Sequence, residues 1–128
     1  MKALLDTHVL LWAASSPERL GSWRQGFLDA EQRLLSAASV WELAIKANRG
    51  KLDLGTDVRS WVGRAIEELQ LEQLSITGEH AAGVEHLPPL HRDPFDRILV
   101  AQARSEGAVL LTADRSLLGY GDVIRVVG

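Results

Sequence analysis

The 128-residue chain has no cysteine, which excludes a disulfide framework, a thiolate metal site and a thiol nucleophile, and fits a reducing, cytoplasmic setting. It also lacks a long apolar run. The longest, Val9 to Ala14, is far too short to cross a bilayer, and no signal-peptide pattern precedes it, so no membrane role is expected. Excess charge of one sign is missing as well: 17 acidic against 14 basic side chains leave a net charge of −3. Any attraction for a polyanion must therefore come from a local basic patch or a bound cation. There is no internal repeat, low-complexity tract or Gly/Ser-rich linker, so residues 1–128 are read as one domain.

What is present is ordinary globular composition, 46% apolar, in a chain long enough to bury a sizeable core. Short apolar runs alternate with helical patterns. Ala3-Leu4-Leu5, Arg33 to Ser36, Leu71 to Ile76, Val109 to Leu111 and Val123 to Val127 are predicted strands. Helices are predicted over Thr7–Ala14, Pro17–Ala30, Ser39–Asn48, Asp57–Leu69, Thr77–Leu87 and Asp93–Ser105. The amphipathic spacing is clearest between Val58 and Leu69. Strands separated by helices predict an α/β fold in three layers, a parallel sheet of four to five strands covered on both faces.

Four acids stand at telling positions in this pattern. Asp6 ends the first strand, Glu42 lies in the first turn of the helix after the second, Asp96 opens the helix after the Pro88-Pro89 break, and Asp114 follows the fourth strand. Ligands of open α/β sheets bind beyond the carboxyl ends of the strands, where the strand order reverses. Each acid also has a structural explanation. Ser39-Val40-Trp41-Glu42 reads as a capping box, Asp93-Pro94-Phe95-Asp96 has the same logic with Asp93 as cap, and Asp6 and Asp114 could be turn or cap residues. Jointly, four like charges at one edge need compensation, which a divalent cation supplies; carboxylate and water oxygens suit Mg²⁺ or Mn²⁺. Among the histidines, His8 follows Asp6 closely enough to approach the site. His80, His86 and His91 show no zinc-pair spacing and are read as surface or supporting residues, not ligands. Trp12, Trp23, Trp41 and Trp61 fall in helical patterns and are read as core or interface.

Taken in order, Leu4-Leu5-Asp6-Thr7, Ser39-Val40-Trp41-Glu42-Leu43, the run from Asp93-Pro94-Phe95-Asp96 to Ala103, and Leu110-Leu111-Thr112-Ala113-Asp114 resemble the four motifs of the PIN-domain ribonucleases. The resemblance is greatest to the VapC-type toxins of toxin–antitoxin pairs, and it spans residues 4 to 114. It implies a PIN-like fold. It also implies a metal-binding, catalytic cluster of Asp6, Glu42, Asp96 and Asp114, with Asp93 as a further candidate ligand or a helix cap. Some relatives carry another acid where this chain has Ser116. The implied chemistry is Mg²⁺- or Mn²⁺-dependent hydrolysis of RNA phosphodiesters, leaving 5′-phosphate and 3′-hydroxyl ends. Lys46, Arg49, Arg92 and Arg97, with Lys51 and Arg115 nearby, are candidate contacts to the RNA backbone, and as phosphate ligands they confer no sequence preference. The implied partners are a VapB-like antitoxin and a second copy of the chain in a homodimer.

Two rival readings belong to other classes. A phosphoacceptor receiver domain shares the length, the parallel sheet and acids at strand ends, but it pairs acids near the first strand and uses a lysine after a late one. Lysine occurs here only at positions 2, 46 and 51. A non-catalytic module of the same fold would have no need to keep all four acids.

Overall fold

Neighbouring residues of a strand point to opposite faces, so an unbroken apolar run such as Ala3-Leu4-Leu5 requires cover on both sides. In the computed structural model, which describes all of residues 1–128, each such run is split in this way. Ala3, Leu5, Leu35 and Leu111 face one core, and Leu4, Leu34 and Leu110 face the other. The strands are β1 (Lys2–Leu5), β2 (Gln32–Ser36), β3 (Glu72–Leu74), β4 (Val109–Thr112) and β5 (Ile124–Val126), all parallel in the order β3-β2-β1-β4-β5.

One face is covered by α1 (Thr7–Ser15), α2 (Trp23–Asp29) and α4 (Val58–Leu69), which contribute Val9, Leu10, Ala13, Phe27, Val62 and Ala65. The other face is covered chiefly by α6 (Pro94–Glu106), through Leu99, Val100, Ala101 and Ala103, and by Leu117 and Tyr120 of the 3₁₀ turn Arg115–Tyr120. α3 (Ala37–Asn48) gives Leu43 to the first core and Ala38 to the second. Each fully buried leucine contributes about 1.5–3 kcal/mol. The expected three-layer α/β architecture is present with five strands.

Several predicted boundaries shift. The single helix expected over Pro17–Ala30 is a 3₁₀ turn, Pro17–Leu20, followed by α2. Between them Gly21 has φ 60°, a left-handed conformation that ends the first piece. β3 is shorter than Leu71–Ile76, and Thr77–Leu87 divides into α5 (Gly78–Gly83) and a 3₁₀ turn, Val84–His86. α3 starts at Ala37, not Ser39, because Ser36, the last residue of β2, is the cap: its Oγ accepts from the Ala38 N–H at 3.0 Å. The Ser39–Glu42 capping box is therefore not formed. Ser39 is buried with its hydroxyl unpaired, and Glu42 sits in the second turn, free of any capping duty.

A buried polar relay sets α3 against α6. The Ser36 hydroxyl donates to Gln102 Oε1 at 2.6 Å, and Gln102 Nε2 donates to Ser75 O at 3.3 Å, with His80 Nδ1 also 3.3 Å away. His80 Nδ1 accepts from the Thr77 N–H, which leaves the proton on Nε2, 2.9 Å from Glu106 Oε2. Ser36, Gln102 and His80 are all buried, so this satisfied network fixes the relative seating of the helices that carry Glu42 and Asp96.

Candidate active site

The chain runs from β1 outward to β2 and β3, then returns across β1 to β4 and β5, so the strand order reverses between β1 and β4. Such a reversal leaves a crevice at the carboxyl ends of the two strands. Asp6 and Asp114 follow those strands directly, and the Asp6 N–H donates to Leu111 O at 3.0 Å, locking the β1 end to β4. A cleft of about 380 Å³ opens there. Asp6, Glu42, Asp93, Asp96 and Asp114 all line it, with Thr7, His8, Lys46 and His91. Five acids from four separate stretches of the sequence share one wall.

Their environments differ. Asp6 is buried, 5% exposed, and caps α1: Oδ1 accepts from the Val9 N–H at 2.8 Å and Oδ2 from the Thr112 hydroxyl at 2.5 Å. Burial raises its pKa above the ordinary carboxylate value, against the pull of those hydrogen bonds. Asp96, in the first turn of α6, is pushed up to about 7, first by burial, then by the charge of Asp93, with Asp6 and Glu42 adding to it and His91 opposing. Asp114 is the most accessible of the three. Hydrogen bonds from the Ser116 hydroxyl (2.7 Å) and N–H (2.9 Å) hold its carboxyl below the ordinary range.

Glu42 has both oxygens engaged, Oε1 by the Thr7 hydroxyl at 2.5 Å and Oε2 by Lys46 Nζ at 3.0 Å. Asp93 does cap α6, Oδ1 accepting from the Phe95 N–H at 2.8 Å and the Asp96 N–H at 3.5 Å. Pro94 follows at the first helical position, where its missing N–H costs nothing. Asp93 still faces the cleft and raises the negative potential beside Asp96.

His91, read from sequence as a surface or supporting residue, stands among these acids. Its Nδ1 lies 3.6 Å from Asp96 Oδ2 and its Nε2 3.3 Å from Asp114 Oδ2. Donor atoms of His91, Asp96 and Asp114 all fall within 4.8 Å of one another. No sequence spacing signals this, because His91 reaches the cleft through the turn of the Pro88–Arg92 segment.

The basic candidates separate. Lys46, Arg49, Lys51 and Arg92 line a second cleft that shares Glu42, Lys46 and Asp93 with the first, so a positive floor continues from the acidic wall. Arg97 differs: its guanidinium bonds Pro88 O at 3.0 Å, the Tyr120 hydroxyl at 3.0 Å and Val84 O at 3.4 Å, a tie between loops that occupies the group. Trp41, expected as core or interface, is 61% exposed. It meets Phe95 edge-on at 5.1 Å and borders an apolar hollow with Ile45, Ile76 and Ile98.

Known proteins share the fold that carries this cleft. Residues 3–122 match the family described as the PIN domain. The chain belongs to that family. Ribonuclease VapC22 of Mycobacterium tuberculosis (strain ATCC 25618 / H37Rv) is 34% identical over 119 residues, covering 91% of this chain and 90% of that protein, which sets the chain among the VapC-type members. In solved structures the same fold occurs in VapBC2 from Rickettsia felis bound to a DNA fragment from their promoter (TM-score 0.76, 14% identity, all of both chains). DNA-bound VapBC from Salmonella typhimurium has a TM-score of 0.70 at 19% identity, covering 98% of this chain and 96% of that one. FitAcB from Neisseria gonorrhoeae has a TM-score of 0.65 at 21% identity, covering 95% of each. The receiver reading fails on topology too, since receiver sheets run 2-1-3-4-5 and this one runs 3-2-1-4-5.

Proposed function

We propose that this PIN-domain chain is the toxin ribonuclease of a toxin–antitoxin pair, cutting RNA phosphodiesters with the help of Mg²⁺ or Mn²⁺. The observation that carries the reading is the convergence of Asp6, Glu42, Asp93, Asp96 and Asp114 on one cleft, a crowding that, with burial, pushes the Asp96 carboxyl up to about 7. Like charges crowded this closely leave an excess of negative potential that a hard dication relieves, and a wall of carboxylate oxygens without thiolates suits Mg²⁺ or Mn²⁺. Asp6, Asp96 and Asp114 would hold the ion, with Glu42 beside them in the catalytic cluster and Asp93 at its edge as the cap of α6. When bound, the dication offsets charge building on the phosphoryl oxygens and makes water a competent nucleophile near neutral pH.

The protein groups do the remaining work. Thr112 and the Val9 N–H hold the Asp6 carboxylate in one rotamer, and Ser116 does the same for Asp114. Glu42, held by Thr7, seats Lys46 at the junction of the acidic and basic clefts, where its ammonium can meet a phosphate oxygen. Arg49, Lys51 and Arg92 continue that path as sequence-independent contacts to the RNA backbone. Lys46→Ala is expected to weaken RNA binding and lower the slope of log affinity against log salt by about one. An unchanged slope in a filter-binding titration removes Lys46 from the path.

The same reading includes a VapB-like antitoxin and a homodimer. The solved VapBC complexes sharing the fold support the first, and the exposed apolar face around Trp41 supports the second. No helix is long and apolar enough to cross a membrane. The deciding experiment incubates purified protein with RNA and with DNA, with Mg²⁺, with Mn²⁺ and with chelator. Cleavage of RNA only when metal is present is the expected result. Cleavage in chelator, or of DNA alone, contradicts the proposal.

A further inference from the structure

We infer that His91 is a positioning residue: its Nε2–H steadies the Asp114 carboxylate against the cleft, and the Asp93 backbone fixes the tautomer that makes this possible. The inference rests on the metal-site reading above and adds to it the part this side chain plays.

A neutral imidazole carries one N–H and one lone pair, so whichever nitrogen accepts leaves the other to donate. Here the Asp93 backbone N–H donates to His91 Nδ1 at 3.2 Å. The proton is thereby assigned to Nε2, whose 3.3 Å approach to Asp114 Oδ2 is an electrostatic contact, longer than an ordinary hydrogen bond. The 3.6 Å separation of Nδ1 from Asp96 Oδ2 is then proximity without a hydrogen bond. Asp114 Oδ1 is already held by the Ser116 N–H and hydroxyl, so His91 supplies the restraint on the other oxygen. Asp114 has more need of this than Asp6, since its side chain is 44% exposed and it caps only a 3₁₀ turn.

The segment bearing His91 is itself anchored to the turn after Asp114. Leu90 lies so close to Gly119 that a Cβ there would stand 2.9 Å from Leu90 Cδ1. Arg97 bonds both Pro88 O and the Tyr120 hydroxyl, tying the two segments together. His91 is thus carried on the same assembly as the carboxylate it steadies. Ligation of a metal by His91 would use a lone pair already accepting from Asp93, or would strip the proton that serves Asp114. Groups in this position outside the metal's own ligands orient those ligands, and their loss typically costs 10–100-fold in metal affinity.

Glutamine reaches far enough to place an N–H where Nε2 stands, whereas asparagine reaches only the Nδ1 position. In the metal-free wild type at about pH 8, long-range ¹H–¹⁵N NMR should find the His91 proton on Nε2; a proton on Nδ1 overturns the assignment whatever the metal does. In calorimetric titrations with Mn²⁺, His91→Ala and His91→Asn should bind about 10-fold or more weakly, with His91→Gln within about 3-fold of wild type. Equal affinity in His91→Ala, or a glutamine variant as weak as alanine, overturns the proposal and leaves the metal site standing. Nitrogen hyperfine coupling to bound Mn²⁺ that vanishes in His91→Ala makes His91 a ligand and overturns it as well. A wild type that takes up no Mn²⁺ removes the metal reading itself and this role with it.

Discussion

Asp96→Asn is expected to make the metal-free protein more stable at neutral pH while removing its activity. Because burial and the neighbouring acids push the Asp96 carboxyl up to about 7 from the ordinary 3.8, the native chain holds a proton that the unfolded chain has released between roughly pH 4 and pH 7. Stability therefore falls as pH rises through that window and levels off above it, the reverse of the usual carboxylate. Asp6, also raised by burial, acts in the same direction. Asp57 and Asp114, whose pKa values are lowered, act oppositely and only below about pH 4. The full shift of Asp96 corresponds to about 4 kcal/mol, and the carboxyl's remaining contact with water reduces this to on the order of 2 kcal/mol. Thermal melts in chelator should show wild-type stability declining from pH 4 to 7 and a flatter profile in Asp96→Asn. Metal at neutral pH should reverse the order by stabilising the wild type alone. A wild-type profile that rises across the window contradicts the account.

The second large effect separates Asp93 from its neighbours. Asp6→Asn and Asp114→Asn should each reduce RNA cleavage on the order of 10³-fold, matching the several kcal/mol that a positioned dication supplies. Asp93→Asn should stay within several-fold of wild type, because asparagine caps a helix as well as aspartate does and the bonds to Phe95 and Asp96 survive. The amide in Asp6→Asn likewise keeps an oxygen for the Val9 N–H, so circular dichroism should report an intact fold. Equal losses in all three variants would make Asp93 a full member of the cluster.

The sheet was legible because its leucines are consecutive: Leu4-Leu5, Leu34-Leu35 and Leu110-Leu111 cannot sit in a half-exposed sheet, and the intervening helices dictate parallel pairing. Helix starts were less so. Ser39 offers a better capping pattern than Ser36, yet Ser36 is chosen because its hydroxyl serves Ala38 and Gln102 at once, a benefit visible only after α6 has docked. Asp6, Glu42, Asp96 and Asp114 stood out because strand ends and helix starts converge in this class of fold. His91 did not, since its role depends on a backbone N–H two residues away and a carboxylate on another strand's exit. Arg97 looked like a phosphate contact for the same reason: nothing in its neighbours along the chain announces Tyr120 or Pro88.

The order of the strands also has a consequence for biosynthesis. Asp6 closes the first strand, but the carbonyl of Leu111 and the hydroxyl of Thr112 that fix it come more than a hundred residues further along, Thr112 106 residues on. Because β1 is central and β4 pairs with it late, a nascent chain that has not yet delivered β4 carries its first acids with no cleft to hold them. Any chain lacking β4 is expected to be inert for the same reason.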